Sequence, residues 1–303
     1  MSVTEMSMDQ SSGRATTLTI VTDSAADLLP EEIEALGITV VPLYIQFPEG
    51  EVKAEDISPD DFYNRLQAMR PEIPTTAMPS PGTFAEIYRE IAQEGKEIIS
   101  IHVSSGLSGT IEAARLGATQ AGVDVTLVDT MTLSGGERFQ VLAAALAAKA
   151  GWSKEAILER LERIRAATEV IYTLETLEYL ARGGRIGRVR ALLGSLLKIK
   201  PVIKVDKADG KYSTVGQART LRRALRMIVD HLAQVYETQT PLWLSVMHGQ
   251  FAAQAENLAQ LLRERLSVAQ LEILRISPVL GVHTGPGIVG VTALPMALMA
   301  GLG

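Results

Sequence analysis

Apolar and polar positions along the chain follow two rhythms. Short runs rich in Val, Ile and Leu, bounded by Gly, Asp or Ser, predict strands; stretches with apolar residues every three or four positions predict helices. LTIVTD at 18–23 is the first such strand. DLLPEEIEALG follows as a helix, with Asp27 placed to cap it, Pro30 in its first turn and Gly37 as its stop. ITVVPLYI at 38–45 reads as the next strand. SPDDFYNRLQAM opens with Ser58 and Asp61 at capping-box spacing, and SPGTFAEIYREIAQEG repeats the Ser-Pro start and stops at Gly95. IISIHV at 98–103 and VTLVD at 125–129 are further strands, each followed by a helical pattern. This β-α alternation predicts an α/β fold with a parallel sheet covered by helices on both faces.

The rhythm changes after about residue 168. EVIYTL, PVIKV, LWLSVM and LEILRIS read as strands separated by longer helical stretches, the longest being TVGQARTLRRALRMIVDHLAQVYE. The expected organisation is a disordered tail over 1–16, an N-terminal α/β domain over 17–167 and a C-terminal α/β domain over 168–303. Their boundary falls at the helix SKEAILERLERIRAAT. Neither a repeat nor a low-complexity linker separates them, so they are expected to pack closely, with a ligand in the cleft between.

Composition narrows the function classes. Hydrophobic residues make up 47% of 303 residues and charged residues 21%, the profile of a globular protein with a full core. A net charge of -6 gives no general electrostatic case for nucleic acid. With no cysteine, thiol catalysis, disulfides and thiolate metal sites are excluded. The first residues lack an apolar run of secretory-signal length, and no apolar run reaches the roughly 18 residues that span a bilayer. The expected location is the cytoplasm.

In parallel α/β sheets, ligands bind beyond the carboxyl ends of the strands. TDSAAD, SSGLSGT and DTMTLSGG occupy such ends, and PTTAMPSPGT is a similar loop before a helix. Each has an ordinary reading as a helix cap; together they bring many hydroxyls to one edge. In SSGLSGT a helix begins directly after Ser108, Gly109 and Thr110, and a helix start suits an anion. Gly106 and Gly109 let a ligand approach the backbone, and Ser105 and Ser108 can donate to it. Phosphate and carboxylate both fit. A serine nucleophile is the rival, with Ser108 attacking and His283 and Asp129 completing a triad, but GLSGT has Thr110 where the nucleophile elbow needs glycine.

Other motifs are weaker. GPGIVG at 285–290 spells a dinucleotide fingerprint, yet only VTALPMALMAGLG follows, too short for the helix and strand that must come after it. His102, His231, His248 and His283 show no metal-ligand spacing. ARGGRIGRVR reads either as a helix C-cap at Gly183–Gly184 or as a loop that brings Arg185 into the cleft. His283, in a glycine-rich stretch, reads as a site residue.

TDSAADL, PTTAMPS, SSGLSGT, VDT, LEYLARGGRI with LKIKPVI, and HTGPG, in that order from about Thr19 to the end, resemble the successive motifs of the DegV family of bacterial fatty-acid-binding proteins. The resemblance implies a long-chain fatty acid between two α/β domains, with no other cofactor and no catalysis by the chain itself. It implies a fatty acid kinase catalytic subunit as partner and admits transient contact with a membrane. By the same resemblance Thr76 and Ser108 hold the carboxylate, with Ser105 as second choice and Gly109 beside them. Arg185 and His283 then mark the cleft or a partner contact. Ala77 and Met78 stand where the family's loop usually has Ser-Gln. The acyl chain calls for a long apolar tunnel, for which IEAARLGATQAG and VRALLGSLLKIKPVI are candidate walls, though core packing is the simpler role for most of their residues. The alternative function is a small-molecule serine hydrolase or phosphotransferase using Ser108 and His283.

Overall fold

The computed structural model describes residues 17–192 and 199–302; the tail expected over 1–16 lies outside them. The first half runs β1 (Leu18–Asp23), α1 (Pro30–Leu36), β2 (Thr39–Val41), β3 (Tyr44–Phe47), β4 (Gly50–Lys53), α2 (Pro59–Ala68), β5 (Thr75–Ala77) and α3 (Pro81–Gln93). It continues through β6 (Glu97–His102), α4 (Thr110–Ala121), β7 (Val125–Asp129), α5 (Gly135–Lys149) and α6 (Lys154–Ala167). Strands β2-β1-β6-β7 form a parallel sheet. Its alternating side chains serve two cores. Val21 and Ile98 pack with Phe84 and Tyr88 of α3 and Ala113 and Ala114 of α4. Ile20, Ile99 and Ile101 pack with Phe139 and Leu142 of α5 and Ile157 and Leu161 of α6. Helices on both faces are what the alternation predicts.

Two details differ from the sequence reading. ITVVPLYI is not one strand: Pro42 has no N–H to continue the parallel ladder, so β2 stops at Val41. The chain leaves that sheet, and β3 pairs antiparallel with β4 and β5 in a separate three-stranded sheet. Asp27 does not cap α1 either. The helix starts at Pro30 with Leu29 at its N-cap, whose N–H donates to Glu32 Oε2 at 2.9 Å. Asp27, at φ 51°, instead accepts from Ser134 Oγ (2.5 Å) and the Ser277 N–H (2.9 Å).

The second half comprises β8 (Glu169–Leu174), α7 (Glu178–Arg182), β9 (Lys200–Val205), β10 (Tyr212–Ala218), α8 (Leu221–Val235), β11 (Leu242–His248), α9 (Ala252–Arg265), β12 (Val268–Arg275), α10 (Pro278–Thr284) and β13 (Ile288–Pro295). The strands form one sheet, β10-β9-β8-β13-β11-β12, antiparallel except between β11 and β12. The stretch read as the longest helix divides: TVGQA belongs to β10, with a register shift next to Gly216, and Thr220 caps α8 through the Arg223 N–H. Helices α8 and α9 cover one face of this sheet with Leu225, Ile228, Leu232, Leu258 and Leu262.

The other face looks toward the first half, and hydrogen bonds and ion pairs join them, the Ser277 N–H to Asp27 among them. Buried Arg138 of α5 bridges Glu32 of α1 and Glu272 of β12. Within the second half, Trp243 Nε1 holds the same Glu272 in place, at 3.1 Å. The tip of the β9–β10 hairpin presses on the SSGLSGT loop, where Ser104 Oγ donates to the Gly210 carbonyl at 2.9 Å. Between the halves the apolar side chains do not close up, and a cavity of about 550 Å³ remains.

Candidate functional site

The cavity is built mainly from small and aliphatic side chains. One wall is the face of β8 and β13 toward the first half: Val170 and Tyr172, then Ile288, Gly290 and Thr292, at every second residue as the pleat requires. Leu43, Val103, Leu133, Ile276 and Val279 line it from the opposite side. Most of these residues are buried, whereas Met78, 52% exposed, and the exposed Gly109 and Arg185 mark the open end.

At that open end the predicted site residues meet. Thr76, Ser108, Gly109, Arg185 and His283 all line the cavity. Thr76 lies in β5 opposite Ile45 of β3. His283 is in the last turn of α10, not in an open loop, and is largely covered. Its Nε2 lies 2.8 Å from Thr76 Oγ1. Burial, with a smaller push from Arg185, lowers its pKa to about 4, so the ring is neutral near pH 7. Arg185 is exposed and is held by the carbonyls of Gly183 (2.8 Å) and Leu107 (3.4 Å).

The glycines of two motifs make this arrangement possible. A methyl on Gly183 would lie 2.3 Å from His283 Nδ1, and one on Gly285 would lie 2.3 Å from the Tyr179 ring. LEYLARGGRI and HTGPG are therefore packed directly against each other. GPGIVG leads straight into β13, the reverse of the strand-then-helix order that a dinucleotide requires.

The serines of the SSGLSGT loop divide their labour. Buried Ser104 accepts from the Gly106 N–H (3.1 Å) while donating to the hairpin tip. Ser105 faces solvent, does not line the cavity, and donates its N–H to Asp129. Ser108 Oγ lies 2.8 Å from Thr110 Oγ1 and accepts the Thr110 N–H at 3.3 Å. Gly106 does not clear space for a ligand: a methyl there would lie 2.4 Å from the Asp209 carbonyl oxygen. The candidate walls IEAARLGATQAG and VRALLGSLLKIKPVI do not line the cavity among the described residues, and 193–198 lie outside them.

The triad considered for hydrolysis does not form. His283 pairs with Thr76, Ser108 with Thr110, and the Asp129 carboxylate accepts the N–H groups of Ser105 and Met131. A Ser-His-Asp relay does occur elsewhere, Ser100 Oγ to His102 Nε2 (2.7 Å) and His102 Nδ1 to Asp23 Oδ2 (2.9 Å). All three side chains are wholly buried under α3, out of reach of a substrate. Among the described residues no His, Asp and Glu cluster could hold a metal ion, and no helix is long and apolar enough to cross a membrane.

Sequence reasoning missed Tyr172, Tyr212, Ser134 and Thr292 in the lining. Burial pushes both phenols up. For Tyr172 and Thr292 the signal was present, because period-two alternation in EVIYTL and IVGVTALP puts them on one face.

The profile described as "Uncharacterised protein, DegV family" matches residues 17–296. The chain belongs to the DegV family. A DegV domain-containing protein of Deinococcus radiodurans is 37% identical over 278 residues, 92% of this chain and 96% of the relative. One from Streptomyces coelicolor is 37% identical over 275 residues, covering 90% and 96%. Among solved structures, a DegV family protein from Thermus thermophilus, described by its fatty acid binding, superposes with a TM-score of 0.86. It is 34% identical, over 92% of this chain and all of that one. DegV of Bacillus subtilis, described as a fatty acid binding protein, has a TM-score of 0.82 at 28% identity over 92% and 99%.

Proposed function

We propose that the protein carries one long-chain fatty acid in this cavity and presents its carboxylate to a partner kinase. The observation that carries the reading is the polarity of the cavity: apolar along its walls, with Thr76, Ser108, His283 and Arg185 gathered at the open end. The fatty acid binding of the solved relatives supports the same ligand. The volume is that of a small-molecule site, about 300–1,000 Å³.

The energetics follow from the lining. Burying each CH₂ is worth ~0.8 kcal/mol, so a chain of about 16 carbons gains on the order of 10 kcal/mol before ordering costs. The head group then needs only orientation. Hydroxyl donors supply it without the desolvation cost of a buried ion pair, and His283, neutral because it is buried, adds no such pair. For Thr76 to give its proton to the acid, the imidazole must carry its own proton on Nε2 and donate to Oγ1. His283 thus positions Thr76. Arg185, exposed at the mouth, is the contact for the kinase, which transfers a γ-phosphoryl group to a carboxylate oxygen and releases the nucleoside diphosphate. The expected location is the cytoplasm, where such a kinase finds its nucleotide.

Mass spectrometry of the purified protein after denaturing extraction tests the carrier. A fatty acid released in near-stoichiometric amount is expected. An empty protein with esterase activity that Ser108→Ala abolishes would overturn the reading. Arg185→Ala, loaded with the same acid and mixed with the kinase, is expected to keep its lipid and lose acyl-phosphate formation.

A further inference from the structure

The closed end of the cavity is not wholly apolar. Thr292 is 1% exposed, lines the cavity, and its hydroxyl has no hydrogen-bond partner among the described residues. It lies four residues along β13 from Ile288, about 13 Å farther from the His283 end on the same face. Ser245 stands directly opposite it on β11 and Val170 on β8. Gly135 seals this end, so close that a methyl there would come within 2.6 Å of Thr292 Oγ1. The adjacent Ser134 also lines the cavity, and its proton is committed to Asp27 Oδ2 at 2.5 Å.

This set has a chemical preference. The Thr292 hydroxyl rotates and can donate or accept, whereas Ser134 Oγ offers the cavity only lone pairs. An alcohol on the ligand satisfies both by accepting from Thr292 and donating to Ser134. A ketone uses only Thr292, and a second carboxylate meets acceptor atoms backed by the Asp27 carboxyl. A plain methylene leaves Thr292 buried and unpaired, which is costly.

Resting on the fatty-acid reading above, we infer that the far end of the cavity selects long-chain acids bearing a hydroxyl in the distal half of the chain. The test offers delipidated full-length protein an equimolar mixture of stearic acid, mid-chain and penultimate hydroxystearic acids, matching oxostearic acids and octadecanedioic acid. Retained ligands are then quantified by mass spectrometry. One distal hydroxy isomer is expected to exceed stearic acid about fivefold, the net of its two hydrogen bonds after the alcohol loses its water, with the oxo acid, which makes one, between them and the diacid lowest. The isosteric Thr292→Val should equalise hydroxy and plain acids while retaining stearic acid, and Thr292→Ser should restore the preference. Equal retention by the unaltered protein, or a preference that survives Thr292→Val, overturns the inference and leaves the carrier reading standing. Retention of no acid at all overturns both.

Discussion

Thr76 Oγ1 and His283 Nε2 lie 2.8 Å apart across 207 residues of chain, joining the edge strand β5 to the last turn of α10. The bond fixes which way the threonine proton points. Thr76→Val keeps the shape and removes the donor. Palmitate affinity should fall at least about tenfold, since hydrogen bonds to charged groups are worth ~1.5–3 kcal/mol. Titration calorimetry measures this; unchanged affinity would remove Thr76 from the head-group site.

His283 also sets a pH window. Its folded pKa of about 4 lies below the ordinary 6.5 because the ring is buried. The stability of the neutral ring is therefore fully present above about pH 6.5 and is lost as pH falls toward 4. Folding stability should be flat from about pH 7 to 8 and decline below 6.5, where the unfolded chain takes up the proton that the buried ring refuses. Urea unfolding across this range reads the profile, and His283→Gln should flatten its acid limb.

Neighbouring glycines in GGR should behave differently. At Gly183, φ -73° suits any residue, but an added methyl would lie 2.3 Å from His283 Nδ1. Gly183→Ala should leave the protein folded and weaken lipid binding. Gly184 has φ +72° and open space around it. Gly184→Ala should cost about 1 kcal/mol of stability through backbone strain and leave binding unchanged. Urea unfolding and lipid titration of the two variants separate these effects.

Asp27 and Glu169 should respond oppositely to pH. Burial raises Asp27 to about 6 from 3.8, against hydrogen bonds from Ser134 and Ser277 that lower it. A raised carboxyl loses relative stability as pH rises through that interval. Asp27→Asn, which keeps an acceptor for the Ser277 N–H, should stabilise the protein above pH 6 by on the order of 2 kcal/mol and have little effect below about pH 4. Urea unfolding at two pH values decides it.

For Glu169, burial alone would raise the pKa. Hydrogen bonds from His231 and Lys207, with the charges of Lys207 and Lys204, bring it down to about 2. Its contribution is present above the ordinary 4.5 and is lost as pH falls to about 2. Glu169→Gln should cost on the order of 2–3 kcal/mol at neutral pH and almost nothing below pH 2. Equal losses at both pH values would show that the ion pairs are not the cause.

How much could be read from the residues varied with the range of the interaction. Caps such as Ser58 and Ser80, the stop at Gly37 and the strands of the parallel sheet are local, and they fall where apolar rhythm and turn chemistry put them. The strand read across Pro42 and the helix read across Gly216 and Thr220 failed where one residue overrides a run of good propensity. Asp27 had every local mark of a cap, but its partners are Ser134 and Ser277, more than 100 positions away. Gly106 was misread for the same reason, since the hairpin tip it accommodates is remote in sequence. The mouth of the cavity was legible because its residues sit in short motifs. Its far end was only half legible: alternation puts Thr292 on one face of its strand, but that this face meets the cavity, and that Ser134 joins it there, depends on how the two halves pack.

Buried Arg138, gripped by Glu32 from one side and Glu272 from the other, makes the two halves mutually dependent. Removing one partner of a buried pair costs ~3–5 kcal/mol, a large part of what holds an ordinary domain folded. A chain cut after residue 167 would strand that guanidinium with a single carboxylate and expose the floor of the cavity to water. The halves therefore cannot be expected to live apart as soluble fragments. With the sheets clasped behind it, the rim around Met78 and Arg185 is left as the open way into the cavity.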